Sequence, residues 1–476
     1  MTAAAGRTLR VALLQLRAFD LAEHEAAWDE LLRRIDEAAE AGPDLVVLPE
    51  ASYPAYYLGS RAAYDAATFL PDEEVEAALV ERARRYGMAI AAGLVQRHLD
   101  GGLRNAAVLV APSGVVGRAA KRFLWHFDRD WFTPGEASPV LDVGPARCGL
   151  FVCADGRVPE ITRSLAVAGA ELLIDCTAWV SSGRDPAALS NPQVDYMLAA
   201  RAIENGAWIV VADKVGTEAG TIVYAGRSGV VDPRGRWCVQ APSDRPGIVH
   251  YELELDEATG PLVARRPELY ADAAVPGAQS LAAERAREPL GGEGAVVRVA
   301  AAAVDASLSP PELIERVRSF VRTLATQGVE LLVLPDLVDA AVHALSQHEL
   351  LSLIEGLTAE TGLMVAIGLI EREGSCSHKT LYLIDRGTVT ASYRQVHLDE
   401  ADREAGFAPG EEPPPVVESR LGALGLLVGY DALAPEVVRS LKLRGAEIVI
   451  WCARPINGVT PDAVRVLART RAAENR

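Results

Sequence analysis

No two of the six cysteines stand in a C-x-x-C pair. That absence removes the usual spacing of a structural zinc site or a dithiol redox centre, and six thiols in 476 residues are too few for a disulfide framework. Positive charge is scarce. Lys and Arg number 47 against 65 Asp and Glu, a formal net charge of −18, which argues against nucleic acid and against an anionic membrane as partners. Long apolar runs are missing too. Arg10 and Arg17 interrupt the first hydrophobic stretch, so VALLQL is expected as a buried strand and not as a signal peptide or a membrane span. These absences point to a cytoplasmic protein with reduced thiols, no metal, and a small molecule as its partner. A hydrophobic content of 50% is ample for a large core, and the length suggests two or three domains.

What is present is an alternation of strand and helix patterns, the mark of an α/β fold. Residues 9–16 read as a buried strand, Leu21 to Ala41 as an amphipathic helix stopped at Gly42, and DLVVLPE as a second strand ending at Glu50. A helix over 72–86 follows, then the strands MAIAAGLV and NAAVLVA. Lys121 comes after a short apolar strand and opens a loop carrying Phe123, Trp125, Phe127, Trp131 and Phe132, which closes on Thr-Pro-Gly. In GLFVCADGRVPE the apolar run breaks at Cys153, and Pro159 and Glu160 suit the first turn of a helix. A carboxylate, an ammonium group and a thiol thus stand at the C-terminal ends of strands, where such folds gather their ligands.

The residues VVLPE with Glu50, Lys121 ahead of a loop ending in FTPG, and Cys153 within C-x-D-x-R-x-P-E resemble the Glu-Lys-Cys set of the nitrilase superfamily of carbon–nitrogen hydrolases. GAELLI, ARAIENGAWIVVADKVG, RSGVVDPRG and RRPELY extend the likeness over residues 8–272. The resemblance implies an αββα sandwich and a mechanism without metal or organic cofactor. A cysteine near its free pKa is only a few per cent thiolate at neutral pH, so it needs a base. Glu50 is the candidate base, and in the mechanism the resemblance implies Cys153 attacks the substrate carbonyl. Lys121 and the backbone N–H of Ala154 stabilise the oxyanion that forms. A thioester then remains, and water releases the acid. The family's second glutamate has its counterpart in Asp128, favoured over Asp130 as the supporting carboxylate. Cys-Ala-Asp after the strand, in place of Cys-Trp-Glu, resembles the amidase and carbamoylase branch, so a carboxamide or N-carbamoyl substrate is expected and not a nitrile. A non-catalytic assembly or regulatory protein, and acyl transfer through the same thioester, are the alternative readings. Asp155 and Arg157 are expected to pair with each other and hold the turn, and not to act on substrate. Tyr53, Tyr56, Tyr57, Trp125, Trp131 and Trp179 are candidates either to line the pocket or to pack in the core, and Arg184 and Arg201 are read first as structural pairs and second as contacts for a substrate carboxylate.

Beyond residue 272 the composition shifts to Ala, Gly, Pro and charge, read as a linker over 273–294. Residues 295–476 then repeat the first half. Asp336 takes the place of Glu50, Gln395 of Lys121 and Gly429 of Cys153, while the apolar pattern and Pro435-Glu436 persist. The domains are accordingly 1–272, catalytic, and 295–476, a copy that has lost its chemistry and is expected to be C-terminally incomplete. Cys452 is the nearest alternative thiol, expected to be buried and inert. The two copies are expected to pair within the chain as αββα-αββα, or the chain to form a homo-oligomer.

Overall fold

The structure is a computed structural model and describes residues 6–185, 187–274, 280–283, 296–305, 307–337, 347–456 and 459–476. The chain divides into two compact units, Met1–Leu262 with Arg465–Thr470 and Val263–Val464 with Arg471–Arg476. Most of the expected linker, 273–294, lies outside the described residues. Val263 to Asp272, which the resemblance places with the first copy, group with the second unit, where Arg266 donates to the Gly410 carbonyl (2.8 Å), Arg265 meets Glu436 (3.1 Å) and Arg444 meets Asp272 (3.4 Å).

In the first unit the strands are β1 (Thr8–Arg17), β2 (Leu45–Val47), β3 (Ala89–Arg97), β4 (Leu103–Ala111), β5 (Gly114–Ala120), β6 (Val140–Val143), β7 (Ala146–Val152), β8 (Leu172–Cys176), β9 (Trp208–Ala212), β10 (Lys214–Glu218), β11 (Ile222–Ala225), β12 (Gly229–Val231), β13 (Trp237–Gln240) and β14 (Gly247–Glu254). One sheet runs β11-β10-β1-β2-β3-β4-β5, with β14 antiparallel beside β1; the other runs β13-β12-β9-β8-β7-β6. Alternation along β1 sends Leu9, Val11 and Leu13 to the space between the sheets, where Leu150, Val152, Leu172 and Ile174 meet them. Its other residues, Ala12, Leu14 and Leu16, face the helices His24–Ala39 and Asp72–Tyr86, which bury Leu31, Ile35, Leu79 and Ala83. The helices Pro159–Val167 and Leu198–Asn205 bury Ile161, Leu165, Leu198 and Ala202 on the second sheet. This is the expected four-layer αββα order. Gly42 ends the first helix at φ +63°, a conformation that costs glycine nothing.

The second unit repeats this plan with β15 (Val299–Ala301), β16 (Leu331–Asp336), β17 (Met364–Glu373), β18 (Cys376–Asp385) and β19 (Thr388–Arg394) in one sheet and β20 (Val416–Ser419), β21 (Gly422–Val428) and β22 (Ile448–Cys452) in another. Helices Pro310–Thr326 and Gln347–Thr361 cover the larger sheet through Leu313, Val317, Leu350 and Ile354. The repetition extends to single hydrogen bonds. Gln395 N donates to Lys379 O (2.8 Å) as Lys121 N donates to Asn105 O (2.7 Å), and Gly410 N to Gln395 O (2.7 Å) as Gly135 N to Lys121 O (2.9 Å). In the parallel pairs, Val428 stands opposite Cys452 as Val152 stands opposite Cys176, so Cys452 is the counterpart of Cys176.

Candidate active site

The three strand ends meet at one buried cluster. After Val47 the chain stays bonded to β3 through Leu48 N to Ala91 O (2.8 Å) and Ser52 N to Gly93 O (2.8 Å), while Glu50 N donates to Thr177 O (3.1 Å) beyond β8. Gly93 is what allows this path: a Cβ there would stand 2.5 Å from the Glu50 Cα. Lys121 follows β5 directly, and its backbone is fixed by Asn105 O and Gly135 N. Cys153 follows β7 and opens a tight turn over Cys153–Arg157, with its own φ at +47°. A left-handed residue with a side chain costs about 1–3 kcal/mol and persists only where its surroundings enforce it.

Lys121 Nζ lies 2.7 Å from Glu50 Oε1 and 2.6 Å from Asp128 Oδ2, and all three side chains are sealed from solvent. Asn105 Nδ2 donates to the same Glu50 Oε1 (2.6 Å). Glu50 Oε2 has no protein partner, which leaves it free to exchange a proton. Asp128 is held in turn by Tyr56 Oη (2.9 Å) and by Trp125 N (3.0 Å). Asp130, by contrast, is exposed. Burial, then repulsion from Asp128, push the Glu50 carboxyl above the ordinary carboxylate range against the pull of Lys121, and the neighbouring Cys153 thiol pulls it back further. Burial and Glu50 likewise push the Cys153 thiol well up, with Lys121 opposing. Burial alone would lower Lys121, but Asp128, Glu50 and Cys153 outweigh it and hold the ammonium charged. The resting state is therefore a neutral thiol beside a fixed cation and a carboxylate of raised basicity.

The turn is secured from several sides. Asp155 Oδ1 accepts from Arg122 N (2.9 Å) and Phe123 N (2.7 Å), and Arg157 donates to Gln193 Oε1 (2.9 Å) and Asn191 Oδ1 (3.4 Å). Cys153 N donates to Asp175 Oδ1 (2.8 Å), and Cys153 O accepts from Gln193 Nε2 (2.7 Å). Gln193 begins a π-helical turn over Gln193–Met197, a form often found where a helix serves a site. Ala154 lies in the first turn after Cys153, where leading N–H groups lack acceptors within the turn. Arg201 is buried, bonding Gly156 O (2.9 Å) and Glu204, so it holds the turn and is closed to a substrate carboxylate; Arg184 is exposed.

Of the aromatic candidates, Tyr56, Tyr57 and Trp131 pack together with Phe127 and Tyr224 beside Lys121, whose Nζ is 5.6 Å from the Tyr56 ring centre. Trp125 lies half-buried under the Arg157 guanidinium (5.7 Å). Tyr53 instead belongs to the core against the outer helices, its ring 5.1 Å from that of Trp28. Trp179 is buried, with its backbone N–H on Asp213 Oδ1 (2.9 Å). Sequence reasoning missed Asn105, which stands next to Arg104 near the start of β4, and Asp175, the one charged residue of β8.

In the second unit the corresponding cluster is rebuilt. Gln395 donates to His397 O, Lys379, in the position of Asn105, reaches Asp402, in the position of Asp128, and Arg454 joins the same aspartate (2.9 Å). A Cβ on Gly429 would overlap the Gln395 amide. Yet Asp431 accepts from His397 N (2.8 Å) as Asp155 does from Phe123 N, and Arg471 donates to Ala432 O (3.0 Å) as Arg201 does to Gly156 O. The scaffold of the turn is retained where the thiol and the lysine are replaced.

Known proteins place this arrangement. A nitrilase of Pyrococcus abyssi is 30% identical over 52% of this chain and 90% of its own length. An (R)-stereoselective amidase of Pseudomonas sp. is 33% identical over 45% of this chain and 74% of its own length. The crystal structure of an amidase from Nesterenkonia sp. is 29% identical, covering 57% of this chain and 98% of its own, with a TM-score of 0.47. The carbon–nitrogen hydrolase profile matches residues 10–260 and again 298–476. The chain is therefore a carbon–nitrogen hydrolase acting on non-peptide C–N bonds, a member of the nitrilase superfamily built from two tandem copies of its domain.

Proposed function

We propose that the first copy hydrolyses a carboxamide or an N-carbamoyl compound through a Cys153 thioester. The observation that carries this reading is the shared carboxylate: Glu50 is bonded to Lys121 and Asn105 through Oε1, makes no protein hydrogen bond through Oε2, and has the Cys153 thiol as a neighbour. In this account Cys153 gives its proton to Glu50 Oε2 as the sulfur attacks the carbonyl carbon. Lys121 and the Ala154 N–H stabilise the oxyanion, Asp128 keeps Lys121 in place, and the proton on Glu50 passes to the departing ammonia or amine. Water, deprotonated by Glu50, then attacks the thioester, and the thiol is restored with release of the acid. Preorganised charge of this kind is worth on the order of 10²–10³ in rate for a single donor.

The second copy, with Gly429 and Gln395 at the positions of nucleophile and cation, is proposed to be catalytically silent. Six free cysteines fit work in a reducing compartment such as the cytoplasm. The test is an ammonia-release screen over amides, N-carbamoyl amino acids and nitriles, with Cys153→Ala as blank. Release of acid and ammonia from an amide or carbamoyl compound, lost in the blank, is expected. Turnover of nitriles alone, transfer of the acyl group to another acceptor, or full activity in Cys153→Ala contradicts the reading.

A further inference from the structure

Asp175 lies on β8, is fully buried, and has one oxygen on the Cys153 N–H while its Oδ2 has no partner. Burying a carboxylate with an unmet oxygen is costly, so it calls for a compensating role. The plain explanation, that it merely joins the end of β7 to β8, is tested within the chain. The second unit makes the same parallel pairing between β21 and β22, and the position opposite Leu427, equivalent to that opposite Phe151, holds Trp451. Its indole N–H donates to the Gly429 carbonyl (3.0 Å). The strand pairing and the turn therefore form without the carboxylate.

What differs is the residue that opens the turn. Gly429 adopts φ +53° freely, whereas Cys153 must hold φ +47° with a Cβ. We infer that Asp175 is a positioning residue: by accepting the Cys153 N–H it holds the nucleophile's backbone in the left-handed conformation that presents the thiol to Glu50. The carboxylate is present where the strained side chain is present and absent where glycine removes the strain, while the turn's other bonds, from Asp155 and Arg201, recur as those of Asp431 and Arg471. This inference rests on Cys153 being the nucleophile.

The experiment compares Asp175→Ala, which removes the acceptor, with Asp175→Asn, which keeps it, in the full-length protein by crystallography and steady-state kinetics. The expected result is that Cys153 leaves positive φ in Asp175→Ala and keeps it in Asp175→Asn. The expected kcat falls about 10²-fold in the first with KM within about threefold, and stays within about tenfold of the unaltered protein in the second. If Asp175→Ala does not fold, Asp175→Leu, which fills the space without an acceptor, takes its place. Positive φ at Cys153 without the acceptor, or an unchanged kcat, overturns the inference. Should the unaltered protein hydrolyse no amide or carbamoyl compound, the functional reading fails separately, and the backbone angle still decides the role of Asp175.

Discussion

Lys121 stands between two carboxylates, and the site's pH behaviour follows from that placement. In the proposed mechanism Glu50 must be ionised to take the thiol proton, and its pKa is raised by burial and then by Asp128. Activity should therefore fall on the acid side at a pH above the ordinary carboxylate range. Asp128→Asn removes one of the raising charges, so the acid limb of kcat/KM is expected to move to lower pH while kcat drops. An unmoved limb in a pH–rate profile would exclude the coupling. Asn105→Leu deletes the second donor to Glu50 Oε1 and should cost about 1.5–3 kcal/mol of transition-state stabilisation, on the order of 10- to 100-fold in kcat/KM. Asp155 offers a stability test. Burial, opposed by the N–H groups of Phe123 and Val152 and by Lys121, holds its carboxyl at about 6 in the folded protein against an ordinary value of 3.8. Its contribution is fully present below the lower value and lost as pH rises through the upper. The melting temperature of the unaltered protein relative to Asp155→Asn should fall between pH 4 and 6.5, by the equivalent of about 2–3 kcal/mol.

At the scale of elements, the site depends on how closely backbones approach. Gly93→Ala would drive a Cβ into the Pro49–Glu50 backbone, and a displacement of that kind near 1 Å is worth about 10²-fold in rate. Loss of activity with near-native circular dichroism is the expected outcome. Glu50, Lys121 and Cys153 were singled out by the resemblance of the motifs around them to a known family, since a lone carboxylate, lysine or thiol at a strand end is by itself more often solvated or packed; hydrophobic periodicity supplied the first strands and helices. Asn105 and Asp175 were not singled out. Asn105, beside Arg104 in LRNAAVLVA, and Asp175 in LLIDC look like imperfections of the strand pattern until their hydrogen-bond partners, remote in sequence, are known. The π-helical turn at Gln193 was equally hidden, since one residue of extra winding leaves the apolar spacing nearly unchanged. Arg201 was read as either a structural pair or a substrate contact, and only its burial against Gly156 O decides for the former.

For the whole molecule, the proposal gives two copies of one domain a single set of chemistry. The second retains the fold and the turn-holding bonds, but three substitutions and the shift of a lysine from the position of Lys121 to that of Asn105 leave no thiol at the strand end. Restoring a thiol by Gly429→Cys is not expected to restore a nucleophile, because its Cβ overlaps the Gln395 amide. One reactive cysteine per chain follows. The most direct measurement is mass spectrometry of the full-length protein quenched in acid during turnover of a small amide substrate, with the adduct mapped to a peptide. The account predicts one hydroxylamine-labile acyl group per chain, on Cys153 and absent from Cys452. Turnover with Cys153 unmodified throughout, or undiminished in Cys153→Ala, would contradict it.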